Sequence, residues 1–172
     1  DKIKIHSIRP ATVCGLSPRM RFDVSVNMLT MHALKNKKIK VFGGKQIRPN
    51  IHIKDMVSVY LHFLEKTNLP SGAYNAGFEN ISILNIAKKI KKLINSKILI
   101  EKSNDPRSYR QSSFKLLKTG FVPKYNVEYA IIEIIKKYSS KQKIADNCFT
   151  VKWMKKLNLD KKKADTLLCF HY

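Results

Sequence analysis

Apolar residues recur along this chain with two alternating periods, and this alternation limits the fold more than any other feature. Segments with a strand pattern are 2–13, 39–42, 47–53, 73–76 and 98–100. Segments with apolar residues at helical spacing are 23–35, 55–66, 82–94, 113–118, 127–138 and 151–157. Strands that alternate with helices favour a sheet covered by helices. The sequence therefore predicts an α/β fold.

Polar residues before three of these helices predict where the helices begin. Asp23 and Asp55 each precede a helical pattern, and either Asn80 or Ser82 precedes a third. Side-chain oxygens of Asp, Asn and Ser accept hydrogen bonds from the first free amides of a helix. We therefore expect N-caps at these positions.

Length and composition are those of a packed domain of ordinary size. The chain has 172 residues, of which 44% are hydrophobic, and this is enough for a core. No run approaches the ~18 apolar residues of a membrane span, and the first residues lack the apolar region of a secretory signal. We expect a cytoplasmic protein that does not enter membranes.

The cysteines and histidines do not predict a metal site. Cys14, Cys148 and Cys169 are widely spaced without a CxxC motif, and the histidines fall on different predicted elements. Structural zinc sites bring Cys and His ligands together in closely spaced pairs. The sequence therefore predicts neither a disulfide framework nor a bound metal.

Net positive charge is the strongest global signal. Lys+Arg number 34 and Asp+Glu 12, which gives +22 at pH 7. Such charge can reflect nucleic-acid binding, because lysine and arginine neutralise phosphates. Here the lysines are dispersed, and the aromatic residues do not interleave with them as a base-stacking surface requires. We interpret the charge as a lysine-coated surface and do not expect nucleic acid as a partner.

Arginines lie in three of the predicted loops at strand ends: Arg19 with Arg21, Arg48, and Arg107 with Arg110. An α/β fold forms its ligand crevice at strand ends. Arginine binds phosphate or carboxylate there through two parallel hydrogen bonds. Salt bridges that stabilise loops explain the same arginines equally well, so both interpretations stay open on these residues alone.

An ordered series of short motifs carries a family resemblance over about residues 3–138. The motifs are RPATVCG (9–15), SPRMRFD (17–23), KVFGG (40–44), RPNIHIKD (48–55), GAYNAG (72–77), ILNIA (83–87), DPRSYR (105–110) and GFVP (120–123). In order and spacing they resemble the C-terminal half of NAD-dependent epimerase/dehydratases, the extended short-chain dehydrogenases that act on nucleotide sugars. No single motif is diagnostic, whereas the ordered set is.

The resemblance implies a domain arrangement. It implies the last strands of a Rossmann-like sheet, assigned to 1–15 and 51–77, and a small α/β substrate-binding lobe, assigned to 16–50 and 78–138. Residues 139–172 form a basic C-terminal extension. It also implies NAD or NADP as cofactor, a nucleotide-diphosphate sugar as substrate, and a homodimer for the full-length protein.

The resemblance assigns roles to individual residues as well. Thr12 occupies a position where many relatives carry a substrate-contacting Asn, and the backbone of Val13 would face the nicotinamide. Arg48 matches an arginine that binds the nucleotide diphosphate, and a second phosphate arginine matches Arg107 or Arg110. Further candidates for the sugar-nucleotide pocket, at positions where relatives vary, are Arg19 and Asn27.

Two family features do not occur in this sequence. No tyrosine is followed four residues later by lysine, the pair in which lysine lowers the tyrosine pKa for acid–base chemistry. A glycine-rich dinucleotide fingerprint is also absent. We therefore interpret the chain as a C-terminal fragment, inert alone, of an epimerase, dehydratase or decarboxylase, and assign no catalytic residue. The rival hypothesis is a lysine-rich nucleic-acid-binding or non-catalytic scaffold domain.

Overall fold

A computed structural model describes residues 3–103 and 107–157 of the chain. Seven strands and six α-helices follow one another within this part. They are β1 (His6–Pro10), β2 (Thr12–Cys14), α1 (Ser25–Asn36), β3 (Lys38–Phe42), β4 (Ile47–His52), α2 (Ile53–Glu65), β5 (Gly72–Ala76), β6 (Glu79–Ser82), α3 (Ile83–Leu93), β7 (Lys97–Glu101), α4 (Phe114–Leu117), α5 (Val127–Lys137) and α6 (Thr150–Lys156). The predicted α/β class is confirmed. The four-residue strand β6 was not predicted from the sequence.

The described strands pair into three small sheets with mainly parallel neighbours. β1 pairs with β5 in parallel, and β3 pairs with β7 in parallel. The third sheet has the order β2-β4-β6, with β2 parallel and β6 antiparallel to the central β4. Pro10 and Thr12 belong to different sheets, so the chain passes from one sheet to the next at Ala11.

Two main apolar clusters hold these sheets and helices together. One lies among α1, α3, α5 and β3, with Val26, Val41 and Ile131 fully buried. The other lies between β5 and α2, and Leu116 and Phe121 join it from the segment after the arginine loop. The predicted sheet segment 51–77 thus packs against residues assigned to the lobe, and the domain boundary stays a prediction.

The helix starts differ from two of the predicted caps. Position 24 precedes α1 without a side-chain cap, and Asp23 instead pairs with Arg21 Nε at 2.9 Å. The predicted cap at Asp55 is also wrong, because α2 begins two residues earlier, after His52. The Ser82 cap is confirmed, since its hydroxyl accepts a hydrogen bond from the Asn85 amide at 3.2 Å.

Asp55 instead joins α2 to the segment that leads into α5. Its side chain is buried, and its carboxylate accepts hydrogen bonds from the backbone amides of Lys124 and Tyr125, each at 3.0 Å. These contacts connect parts of the chain that are about 70 residues apart in sequence. A buried carboxylate with several amide donors stabilises a fold more strongly than an exposed cap.

The described part contains neither a candidate membrane span nor a candidate metal cluster. No helix within 3–103 or 107–157 is both long and apolar enough to cross a bilayer. No group of three or more Asp, Glu, His or Cys residues in those ranges could hold a metal ion. Cys14 and Cys148 are free thiols, whereas Cys169 lies outside the described residues, as do Asp105 and Pro106 of the arginine loop.

Replacement of Asp55 tests the link between α2 and α5. Asp55→Ala leaves two buried amides without their acceptor, and we expect the free energy of unfolding to fall by about 3 kcal/mol, since a hydrogen bond to a charged group contributes about 1.5–3 kcal/mol. Urea unfolding measures the change. Glu65→Ala, at the exposed end of the same helix, is the matched control and should change stability by less than about 0.5 kcal/mol. Equal effects of the two variants would contradict the assignment.

Candidate functional site

A cleft opens where the chain passes from β1 to β2. It has a volume of about 380 Å³, and its walls are Pro10, Ala11, Thr12, Pro49, Tyr109, Arg110 and Gln111. The floor comes from strand ends, because the Ala11 amide continues the pairing of β1 with β5 by donating to the Ala76 carbonyl at 2.8 Å. Residues 109–111 form the opposite wall. None of the described residues that line the cleft is acidic.

Hydrogen bonds to three strands fix the wall formed by 109–111. The Gln111 amide donates to Asn80 Oδ1 at 2.9 Å, and Asn80 Nδ2 returns a bond to the Gln111 carbonyl at 3.0 Å. Gln111 Nε2 donates to the Arg9 carbonyl at 2.9 Å, and the Tyr109 amide donates to the Ile47 carbonyl at 3.3 Å. A segment without regular structure is therefore held in place by β1, β4 and β6.

The side chain of Gln111 leaves one acceptor unused. Its Oε1 atom is buried and has no hydrogen-bond partner among the described atoms. An unpaired buried polar atom costs about 1–3 kcal/mol. The amide orientation is set by the bond from Nε2 to the Arg9 carbonyl.

The predicted phosphate arginines meet at this wall. The Arg48 guanidinium donates to the Arg107 carbonyl and to the Ile47 carbonyl, and it lies 5.3 Å from the centre of the Tyr109 ring. Arg110 lines the cleft together with Thr12. The structure thus places two of the predicted substrate residues, Thr12 and Arg110, in the cleft walls. Arg48 and Arg107 do not line the cleft; the Arg48 side chain binds the Arg107 carbonyl next to the wall formed by 109–111. Contact of these arginines with a diphosphate stays a prediction.

Arg19 and Asn27 lie elsewhere and do not line the cleft. Asn27 is buried, where its Oδ1 accepts from the Gly15 amide at 3.1 Å and its Nδ2 donates to the Arg21 carbonyl at 2.9 Å. The Arg19 Nε atom donates to the Asn147 carbonyl at 3.2 Å. Both side chains therefore hold the loop after β2. Their role in a sugar-nucleotide pocket stays a prediction.

Val13 lies in the middle of β2, which is the edge strand of its sheet. In the described part β2 pairs only with β4, so half of its backbone polar groups face away from a strand partner. Such groups suit a ligand amide. The neighbouring Cys14 is buried, and burial raises the pKa of its thiol to about 12, so this cysteine is not a nucleophile at neutral pH.

A polar cluster beside β4 was not predicted from the sequence. His52 Nε2 lies 2.9 Å from Glu133 Oε1, and Lys54 Nζ lies 3.2 Å from the Tyr129 hydroxyl and 3.6 Å from Glu133 Oε2. The Lys54 ammonium also lies over the Tyr125 ring, 5.1 Å from its centre. No local pattern could have predicted this cluster, because His52 and Glu133 are 81 residues apart.

Geometry fixes the charge state of His52. Its Nδ1 atom accepts a hydrogen bond from the Lys54 amide at 3.1 Å, so the ring proton resides on Nε2 and is donated to Glu133. Burial lowers the pKa of His52 below its ordinary value of 6.5, and the Glu133 carboxylate only partly opposes this shift. A neutral His52 is therefore the form that closes the start of α2.

Gly15 makes room for this contact. A Cβ atom at position 15 would lie 2.5 Å from His52 Nε2 and 2.8 Å from Glu133 Oε1. The backbone of Gly15 also has φ of +102°, a conformation that side chains strongly disfavour. The glycine that ends the RPATVCG motif thus serves both a turn and a close approach.

Comparison with known proteins supports the resemblance. Residues 1–77 match the profile of the NAD dependent epimerase/dehydratase family. The resemblance predicted from the sequence is confirmed over this range, which is somewhat less than half of the chain.

Solved structures extend the likeness beyond the matched residues. UDP-glucuronic acid 4-epimerase from Bacillus cereus, in complex with UDP-glucuronic acid and NAD, has 26% identity and a TM-score of 0.65 over 79% of this chain and 46% of its own. dTDP-glucose 4,6-dehydratase from Bacillus anthracis, in complex with NAD, has 20% identity and a TM-score of 0.66 over 86% and 47%.

ADP-L-glycero-D-manno-heptose-6-epimerase from Helicobacter pylori has 22% identity and a TM-score of 0.65 over 76% of this chain and 43% of its own. The chain therefore spans less than half the length of these structures. The two proteins below 25% identity establish the shared fold alone.

The neutral His52 predicts a pH dependence of stability. Below the ordinary histidine pKa of 6.5 the unfolded chain binds a proton at this residue that the folded chain does not. The free energy of unfolding therefore decreases as the pH is lowered from about 6.5 to the lower pKa of the folded state. We expect His52→Asn, which keeps an N-cap acceptor, to reduce this slope. His32 and His62, whose pKa values burial also lowers, give the remaining slope. Urea unfolding at several pH values measures this slope for the wild type and for His52→Asn. Identical slopes in the two proteins would refute the role of His52.

Proposed function

We propose that this chain supplies nucleotide-sugar contacts to an NAD- or NADP-dependent epimerase or dehydratase. The observation that carries the proposal is the cleft at the β1–β2 junction, because it combines Thr12 and Arg110 in its walls with Arg48 against the same wall segment. The family match over residues 1–77 and the bound ligands named for two of the solved structures support it.

Two cationic side chains beside one cleft suit a substrate with a diphosphate. Arg48 and Arg110 approach from different elements, β4 and the 109–111 wall, so each could hold one phosphate. Charge-assisted bonds of arginine to phosphate oxygens are about twice as strong as neutral ones and fix orientation. In our proposal the diphosphate is bound at this end, and this positions the sugar toward Thr12 at the start of β2.

Gln111 is our candidate for recognition of the sugar itself. Its Oε1 atom is buried against Gly77 without a partner, so in our proposal the side chain shifts toward the cleft when a sugar hydroxyl binds, and a ligand without that donor would leave the atom unpaired. Sites of this kind discriminate against analogues that lack the donor. Thr12, whose hydroxyl both donates and accepts, would be a second polar contact.

In our proposal the nicotinamide of the cofactor binds beside Val13, the residue that follows Thr12 of the cleft. Backbone groups of Val13 on the unpaired side of β2 could hold the nicotinamide amide, as the family resemblance implies. When bound, NAD(P) supplies the transient oxidation of the sugar. The remaining cofactor contacts, the acid–base residues and a homodimeric assembly of the full-length protein rest on the resemblance, whereas the expected cytoplasmic location rests on the sequence pattern.

Ligand titration of the 172-residue chain tests the two arginines. We expect isothermal titration with UDP-glucuronic acid, dTDP-glucose and UDP-glucose to detect binding of at least one of them. Arg48→Gln and Arg110→Gln should each weaken that binding by about tenfold or more, because each removes charge-assisted bonds worth about 1.5–3 kcal/mol. The same substitutions should weaken the binding of the corresponding nucleoside monophosphate less, since that ligand offers a single phosphate.

A charge-matched variant controls for the general field of the protein. Lys152→Gln removes one positive charge from an exposed position in α6, away from the residues that line the cleft. This variant should bind the same sugar nucleotide like the wild type, and thermal unfolding should show that all variants fold. Binding that is equal in all variants, or undetectable in the folded wild type, would refute the proposed contacts.

A further inference from the structure

Acidic residues are absent from two long segments that pack together. The sequence has no Asp or Glu in residues 24–54 or in 80–100. These segments contain α1 and β3 in one case, and α3 and the start of β7 in the other. Both α1 and α3 pack against β3 within the first apolar cluster. One side of the molecule is therefore built from elements that carry lysines without carboxylates of their own.

The topology places the lysine-bearing turns of these segments at the same end. Each segment runs from a helix into a strand, and the two strands, β3 and β7, are parallel neighbours. The turns before the two strands must then adjoin, and the Lys97 amide donates to the Lys37 carbonyl at 2.9 Å. We call this surface the lysine end. It comprises Lys35, Lys37, Lys38, Lys91, Lys92 and Lys97, all exposed.

The fold itself accounts for half of these lysines. Lys35 is in the last turn of α1, and Lys91 and Lys92 are in the last turn of α3. A positive charge at a helix C-terminus interacts favourably with the helix dipole. These three positions therefore need no partner to explain them.

The other three lysines oppose the stability of the fold. Lys37 has φ of +52°, the left-handed conformation that helix ends normally give to glycine. Lys38 lies directly opposite Lys97 in the β3–β7 pair, and like charges at such positions repel. No ion pair within the described residues relieves them, because the Lys40–Glu101 bridge lies farther along the same strands. Positions that cost stability are expected where a surface binds something else.

We propose that the lysine end binds the phosphate backbone of a double-stranded nucleic acid. Lysine neutralises phosphates without reading sequence, and the release of counterions drives such binding. The exposed side chains of the two turns, Lys35–Lys38 and Asn95 with Lys97, include no aromatic ring, which single-strand binding would use for stacking. Leu93, 42% exposed beside Lys92, is the one large exposed apolar side chain next to these lysines in the described part, and a single such side chain contributes little insertion into a bilayer. The lysines appear dispersed along the sequence, yet the fold gathers them.

This surface is separate from the proposed sugar-nucleotide cleft. None of its lysines lines that cleft, and the cleft residues come from β1, β2, β4 and the 109–111 wall. Binding of nucleic acid and binding of a nucleotide sugar can therefore succeed or fail independently.

Duplex binding of the 172-residue chain and a charge-neutral triple variant provides the test. Fluorescence anisotropy with DNA and RNA duplexes of about 20 base pairs should give a Kd that rises steeply with salt. We expect Lys37→Gln, Lys38→Gln and Lys97→Gln together to weaken binding at low salt by more than about tenfold. The slope of log K against log salt should fall by about 2–3, since each lost phosphate contact removes about 0.9.

A second triple variant separates a defined surface from overall charge. Lys141→Gln, Lys143→Gln and Lys155→Gln remove the same number of charges from exposed positions near the described C-terminal end. Binding should survive in this variant. Equal losses in both triples, or no loss in the first, would overturn the proposal.

Stability and lipid binding complete the test. The thermal midpoint of the first triple should equal or exceed that of the wild type, because the repulsion between Lys38 and Lys97 is removed. A lower midpoint would assign these lysines to folding and overturn the argument. Phosphatidylserine vesicles are the competing probe: binding to them that depends on the lysine end, without duplex binding, would replace nucleic acid by an anionic membrane and refute the proposal.

Discussion

The junction between β4 and α2 is the constraint on which the site depends. Here His52 closes the helix start through its neutral ring, and Asp55 holds the amides that precede α5. Both residues are buried, and the contacts of His52 with Glu133 and of Asp55 with the Tyr125 amide join segments 81 and 70 residues apart, so they set where β4 lies relative to α5. Because Arg48 and Pro49 are on the same strand, this junction also sets the position of the cleft wall.

The strand and helix pattern could be predicted from the sequence, because each element has an apolar period of its own. The helix starts were harder. Asp55 precedes an apolar stripe and resembles a cap, but its partners are the amides of Lys124 and Tyr125, which no local window contains. Asp23 likewise accepts a hydrogen bond from the amide of the distant Val151, besides its local ion pair with Arg21. Polar residues were thus misassigned where a distant donor competed with the local one.

In the candidate site, too, the sequence predicted the residues that lie in local motifs and missed those that depend on distant contacts. Ordered motifs were sufficient to select Thr12, Arg48 and Arg110, which the structure brings to one cleft wall or its support. Gln111 was not selected, because an unpaired buried oxygen can be recognised only when its surroundings are known. The lysine end was missed for a related reason, since its two turns are far apart in sequence and become neighbours only through parallel pairing of β3 with β7.

Parallel pairing also dictates an order of events during synthesis of the chain. In the described part the strand partner of β1 is Gly72–Ala76, and that of β3 is Lys97–Glu101. Both partners are synthesised long after the strands that they pair with. Closure of such long loops is slow and costs entropy before any contact compensates for it. A nascent chain that has emerged only as far as α2 therefore exposes the unpaired edges of β1 and β3. Chaperones can bind these edges until β5 and β7 have emerged.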